Sequence, residues 1–291
     1  MTSIRKMIRH YGIRPRKRLG QSFLHDKNII NKIVDIADVM AGETVVEIGA
    51  GLGIMTERLA ERGARVIALE IDPSLVAVLR ERFGGNEQVE IVQADVLKVD
   101  FSGIHPGGGE GRFKVIGNIP YHISTPILFR LFQFRQWISS LILMFQEEVA
   151  ERITAAPGTS AYGIPSVMVA SFARAGLIMT VPAGCFYPVP KVTSAIVKID
   201  FLDRPAAEIA DPDFLLRIVR IAFAKRRKTL LNNLRSGALP GLSEAAILGA
   251  MQLAGIDGSR RAETLSAPEF AALANAILVF CNELKRSGPS V

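Results

Sequence analysis

The stretch Val45-Val46-Glu47-Ile48-Gly49-Ala50-Gly51-Leu52-Gly53 decides the fold. A β-branched run reaches an acid, turns through three glycines and enters a helical pattern at Met55–Glu61. Glycine permits left-handed backbone angles and a close approach of ligand to backbone at a helix N-terminus. Proteins that bind NAD, FAD or S-adenosylmethionine share turns of this kind, and a merely tight turn looks the same. Two details narrow the choice. The spacing is G-x-G-x-G and lacks the dinucleotide form G-x-G-x-x-G. Glu47 stands two residues before the first glycine, where a carboxylate repels a pyrophosphate but suits a ligand carrying an ammonium and a sulfonium.

Working outward, further short apolar runs alternate with helical patterns. Asn28–Met40 reads as a helix; Arg65–Glu70 leads to Ser74–Phe83, and Val89–Gln93 leads to a loop. Phe113–Ile116 leads to Ile123–Phe134, Leu141–Phe145 to Glu147–Thr154, and Ala195–Phe201 alternates like a closing strand. This pattern predicts βαβ units, a parallel sheet and right-handed crossovers. Glu70 ends the second strand, where a carboxylate can accept from both ribose hydroxyls. Asp95 follows the third, able to accept from an adenine amino group. Acids at three successive strand ends predict a nucleoside site at the switch-point crevice and favour S-adenosylmethionine over NAD. The Gly- and Pro-containing stretch Ser102–Arg112 reads as a surface loop.

After a polar linker at Asp203–Asp211, only helices are expected, at Pro212–Ala224, Thr229–Leu234, Ser243–Ala254 and Ala267–Leu284. The fold class is therefore α/β: a Rossmann-like domain over 19–202 that carries the nucleoside site, with a small all-helical domain over 203–291. Residues 1–18 form a basic arm. They hold seven of the 35 Lys and Arg and no acid, so the rest of the chain balances its 28 acids and the net +7 resides in the arm. Such a block usually meets a polyanion, because phosphates neutralised by Lys and Arg release counterions. At 49% hydrophobic and 22% charged, the 291-residue chain is no disordered polymer. No apolar run reaches the ~18 residues of a membrane helix, and no secretory signal is seen. Cys185 and Cys281 suggest neither a disulfide framework nor a metal site, so a cytoplasmic setting is expected.

Gly117-Asn118-Ile119-Pro120-Tyr121, after the fourth strand, has the form N-[IL]-P-Y of amino-group methyltransferases. The exocyclic N6 of adenine is a poor nucleophile because its lone pair is delocalised into the ring. Two acceptors aimed at its hydrogens, the Asn118 side-chain carbonyl and the Ile119 backbone carbonyl, favour the pyramidal amine whose lone pair can attack. Pro120 fixes the turn that presents them, and Tyr121 offers a face for an extruded base. No general base is needed in the motif, since the amine loses its proton after it has become cationic. In Phe186-Tyr187-Pro188-Val189-Pro190-Lys191-Val192, two prolines stiffen a loop on which Phe186 is expected to form the other wall of the base pocket.

Together with Arg16-Lys17-Arg18-Leu19-Gly20-Gln21-Ser22-Phe23-Leu24, Ala222–Leu230 (AFAKRRKTL) and Arg261–Leu265 (RAETL), these motifs run in order along nearly the whole chain. The chain resembles the KsgA (RsmA) family of small-subunit ribosomal RNA adenine dimethyltransferases. The resemblance implies transfer of methyl groups from S-adenosylmethionine to N6 of two adjacent adenosines near the 3′ end of small-subunit rRNA. The assembling small subunit is then the partner, and a monomer is expected. Cofactor contacts are implied at Ser22, Leu24, Gly49, Gly51, Glu70, Asp95 and Asn118, and base contacts at Asn118, Ile119, Pro120, Tyr121 and Phe186. Relatives often carry Asn or His where this chain has Ser22, which leaves a backbone contact there. Arg16, Lys17, Arg18 and the run Lys225-Arg226-Arg227-Lys228 are expected on RNA phosphates. The alternative is an Erm-type methyltransferase acting on large-subunit rRNA, against which AFAKRRKTL and RAETL weigh. A non-catalytic RNA-binding factor on the same fold would not need Glu70, Asp95 and Asn118–Tyr121 intact.

Overall fold

The computed structural model describes residues 4–104, 111–237, 239 and 242–287. Residues 105–110 of the expected loop at 102–112, and the first three of the basic arm, lie outside the described residues. The chain forms two compact units, Met1–Ala150 with Gly176–Phe201, and Glu151–Ala175 with Leu202–Val291.

The elements of the first unit follow in chain order. α1 (Ile4–His10), β1 (Phe23–Leu24) and α2 (Lys27–Ala37) precede β2 (Thr44–Ile48), α3 (Ile54–Glu61), β3 (Arg65–Glu70) and α4 (Pro73–Phe83). Then come β4 (Val89–Gln93), β5 (Phe113–Asn118), α5 (Ser124–Gln133), β6 (Ile138–Gln146) and α6 (Glu147–Thr154). After α7 (Ile164–Phe172), which belongs to the second unit, β7 (Ala173–Val181), β8 (Phe186–Tyr187) and β9 (Ser194–Phe201) complete the α/β part. The main sheet runs β4-β3-β2-β5-β6-β9-β7. Its pairs from β4 to β6 are parallel, as expected, whereas β9 runs antiparallel to β6, so the sheet is mixed. The chain starts at central β2, moves out to β4 and returns to the other side at β5. That reversal sets the switch point between β2 and β5. All five residues of β2 are buried, as befits a strand covered on both faces. At Gly117 an added Cβ would sit 2.8 Å from the Ile48 carbonyl, so the close pairing of β5 with β2 requires glycine there.

The basic arm is not a free tail. Ile4 and Ile8 are buried in a cluster with Phe23, Leu52, Leu75 and Val78, which docks α1 through one apolar face and leaves its bases outside. Neither α7 nor β7 is apparent from the sequence pattern. α7 is apolar on nearly every side and so shows little helical period, while β7 is buried only at its two ends and carries a glycine.

In the second unit, α8 (Pro212–Ala222), α9 (Leu230–Ser236), α10 (Glu244–Leu253) and α11 (Ala267–Ser287) pack together, with no strand after β9 among the described residues. The sequence pattern puts the boundary at 202/203, but 151–175 groups with these helices. The reason is α7, which buries Val167, Met168, Val169 and Phe172 and packs against α8 and α11. Buried Asn233 donates from Nδ2 to the carbonyls of Ala222 (2.7 Å) and Lys225 (3.1 Å), closing the turn between α8 and α9. The run Lys225–Lys228 thus lies on a braced turn and not along a helix face.

Candidate active site

A cavity open to solvent lies at the carboxyl edge of β2, β3 and β5. It is lined by the glycine turn, by Glu47, Glu70 and Asp95, and by Asn118–Tyr121. Gly49, Gly51 and Gly53 all have positive φ, at 71°, 59° and 75°. A Cβ at Gly53 would meet Phe83 at 2.5 Å and one at Gly51 would meet Phe23 at 3.1 Å, so space as well as backbone angle demands glycine.

Glu70 is 6% exposed. Gly51 N–H donates to its Oε2, and the N–H groups of Ile71 and Asp72 to its Oε1, each at 2.9 Å. Burial raises its pKa, and these backbone bonds oppose the rise. Three of the carboxylate's four or so acceptor positions are therefore filled by the turn, which aims what remains into the cavity. Asp95 Oδ1 accepts from Leu97 N–H at 3.0 Å, an Asx turn that fixes its carboxyl at the next strand end. Ile71 and Val96, each directly following one of these acids, line the same cavity with apolar surface. Sequence reasoning missed them, although the pairs Glu70-Ile71 and Asp95-Val96 are a readable signal for a flat ring beside a polar edge.

Glu47 departs from the sequence expectation. It is buried and accepts from Thr56 Oγ1 at 2.5 Å. Burial pushes its pKa up to about 8; the Glu70 charge adds to the rise, while the Thr56 bond and the Arg82 charge oppose it. Glu47 therefore keeps its proton to higher pH than an ordinary carboxyl. Because 8 lies above the ordinary 4.5, the folded chain holds a proton that the unfolded chain releases. Stability from this group is complete below about pH 4.5 and is lost as pH rises towards 8. Thermal unfolding should show the melting temperature of the native sequence falling more steeply from pH 5 to pH 8 than that of Glu47→Gln. Parallel profiles would contradict the assignment.

Asn118 ends β5. Its Nδ2 donates one of its two N–H groups to the Ser22 carbonyl at 2.8 Å, which orients the amide and leaves Oδ1 as an acceptor. Ser22 makes no use of its side chain towards the cavity; its hydroxyl donates to the Pro188 carbonyl at 2.7 Å. Ile119 is 1% exposed, so its side chain anchors the motif. Pro120 (φ −61°, ψ 126°) leads into a single 3-10 turn at Tyr121–Ile123. The Tyr121 hydroxyl is hydrogen-bonded to Ser194 Oγ, and burial raises its pKa. The ring is fixed at its tip and remains partly accessible.

Phe186 corrects the sequence expectation. It is 1% exposed, lies in the core with Leu24, Ile30 and Ile33, and does not line the cavity. The reason is strand alternation. β1 and β8 pair antiparallel, with Leu24 opposite Phe186 and Phe23 opposite Tyr187, so Phe186 turns inward and Tyr187 packs on the α1 side. Arg16 is likewise engaged, in an ion pair with Asp72 (3.3 Å) and a bond to Ser74 Oγ (3.3 Å). Buried Asp72 also accepts from Gln21 Nε2 (2.9 Å), while its own N–H holds Glu70. Arg16 thus fastens the arm beside Asp72 and Glu70, leaving Lys17 and Arg18 exposed. In the second unit, Arg226 is paired with Glu263 (2.9 Å) and bonded to the Ser160 carbonyl. The RAETL element braces the basic turn. Lys225, Arg227 and Lys228 are exposed.

An acid-rimmed cavity on a glycine turn at the switch point, facing an N-I-P-Y corner, defines a Rossmann-like S-adenosylmethionine-dependent methyltransferase. The profile of the ribosomal RNA adenine dimethylase family matches residues 12–277. The chain belongs to that family. It is 45% identical to a protein of Syntrophus aciditrophicus (strain SB) named ribosomal RNA small subunit methyltransferase A, over 95% of this chain and 99% of that one. A protein of the same name from Moorella thermoacetica is 45% identical over 93% and 95%. Among solved structures, a dimethyladenosine transferase from Plasmodium falciparum superposes with TM-score 0.73 at 26% identity, covering 90% of this chain and 98% of its own. The 23S rRNA methyltransferase ErmE gives 0.65 at 26% identity, covering 88% and 99%.

Proposed function

We propose that the protein dimethylates N6 of two adjacent adenosines near the 3′ end of small-subunit rRNA, using S-adenosylmethionine. The observation that carries the reading is the Asn118 amide, whose donor is tied to the Ser22 carbonyl so that its carbonyl is the free end. The named relatives favour small-subunit rRNA over the Erm-type substrate. The cofactor's chemistry fits the donor set. Glu70 and Asp95 offer acceptors to ribose and adenine, Ile71 and Val96 offer apolar walls, and an ammonium near Glu47 would favour that residue's ionised form. Bound, the cofactor supplies an electrophilic methyl on a sulfonium.

The chain's own residues do the rest. Asn118 Oδ1 and the Ile119 carbonyl accept from the target amine and favour its pyramidal form. Tyr121 stacks the extruded base, its ring held by Ser194. The nucleophile loses its proton only after becoming cationic, so rate arises from positioning and electrostatics. In this reading the protein acts as a monomer on the small subunit in the cytoplasm; among the described residues, no helix is long and apolar enough to cross a membrane. Labelled methyl transfer to small subunits lacking these modifications, followed by nucleoside analysis, should give N6,N6-dimethyladenosine. A product of 5-methylcytosine or ribose methyl alone would reject the reading.

The exposed bases of the α8–α9 turn hold RNA phosphate in this scheme. Neutralising Arg227 and Lys228 together should flatten the slope of log K against log salt by about 0.7–0.9 for each phosphate left unneutralised. Arg226→Gln should act chiefly by releasing Glu263, with a stability cost under about 1 kcal/mol for so exposed a pair. Salt titrations of RNA binding beside thermal melts separate the two effects.

A further inference from the structure

A second recess adjoins the cofactor cavity. It lies between α1, the start of α2 and the 184–189 loop, and shares Ile4 and Ile54 with the cavity as common wall. Its lining carries four bases, Arg5 and Lys6 from α1, Lys27 from the start of α2 and Arg82 from α4, with His10 and His25 beside them. The acid lining it, Glu57, is paired with Arg82 at 3.2 Å. Arg5, Lys6 and Lys27 are exposed and have no carboxylate partner among the described residues. Arg5 lies over the Tyr187 ring at 5.4 Å, so the aromatic-proline loop and α1 meet on this side of the unit.

We propose that this recess is the track for the RNA sugar–phosphate backbone flanking the target adenosines, a reading that rests on the function proposed above. Three observations point one way. Uncompensated cations in a groove fit a polyanion and not an acidic residue or two. The loop that walls the recess is tied to the Asn118 corner through Ser22, whose hydroxyl donates to the Pro188 carbonyl and whose carbonyl accepts from Asn118 Nδ2, so the phosphates beside a base held at that corner run towards the recess. And Ile4 and Ile8, by docking α1, hold its bases in place, so little ordering remains to be done on binding. The recess reads charge and backbone, not sequence, since Lys and Arg bound to phosphate carry no base information.

The test uses the full chain and a hairpin RNA whose loop carries two adjacent adenosines. For Arg5→Gln/Lys6→Gln/Lys27→Gln, the RNA dissociation constant at 0.1 M salt should rise about tenfold or more. The salt slope should fall by about 0.7 for each single-strand phosphate left unneutralised. S-adenosylmethionine affinity and melting temperature should stay unchanged. Arg9→Gln, on the same helix but outside the recess, is the control. An unchanged slope in the triple variant, or an equal change per charge at Arg9, overturns the proposal. Nucleoside analysis separates it from the underlying function. Dimethyladenosine made at the native rate by the triple variant sinks the track alone, whereas none made by the native protein sinks both.

Discussion

Asn118→Ala should lower the turnover number by about 10²–10³-fold while leaving the affinities for S-adenosylmethionine and RNA within a few-fold of native. The size follows from removing a preorganised hydrogen-bonding group that matters most as N6 changes hybridisation. The direction follows from the structure, because the side chain's other engagement is one bond from Nδ2 to the Ser22 carbonyl. Removing that bond leaves a half-buried carbonyl near water and costs the fold little. Asn118→Asp sharpens the case: it keeps an acceptor for the amine but sets a carboxylate against the Ser22 carbonyl, so the motif should be displaced and turnover should fall as well. Single-turnover kinetics with separately measured binding constants decide it. A native rate in Asn118→Ala would mean that the amine is not activated by this group.

Glu70→Ala should do the reverse, with its main effect on binding and stability. The substitution removes acceptors from the N–H groups of Gly51, Ile71 and Asp72. Buried donors left unpaired cost about 1–3 kcal/mol each, and the cavity admits water to some of them, so a net loss of about 3 kcal/mol is expected. The ribose acceptor disappears as well, which should weaken cofactor binding by about 10²-fold or more. Glu70→Gln keeps one carbonyl oxygen and should recover most of the stability without the full affinity. Calorimetric titration beside denaturant melts gives both numbers. Unchanged cofactor affinity in Glu70→Ala would remove the residue from the site.

The site's polar frame is legible in the sequence because a parallel sheet gathers the carboxyl ends of its strands at one edge. Glu70, Asp95 and Asn118 each follow an apolar run, and topology alone brings them together. What cannot be read depends on partners remote in sequence. Phe186 turns inward because β8 pairs with β1, whose two residues are too short a run to announce a strand. Arg16 reads as one more base in a cationic block until Asp72 is seen beside it. Glu47 reads as an anion, and only its burial, which outweighs the opposing Thr56 bond, raises its pKa. The arm's charge is plain, but it overshadows the spacing of Ile4 and Ile8 that docks it.

The grouping of 151–175 with the helical unit bears on any attempt to cut the molecule apart. A fragment starting at 203 would lack α7, exposing the faces of α8 and α11 that it covers, and should aggregate or remain partly folded. Nor is the other unit a continuous piece. During synthesis β6, with Leu141, Ile142, Leu143 and Phe145 all apolar, stays a bare edge until β9 emerges to pair with it. The nascent enzyme therefore carries an adhesive strand through the whole interval in which α7 and β7 are made, and its yield should be more sensitive to chaperone supply than that of a protein whose units follow one another end to end.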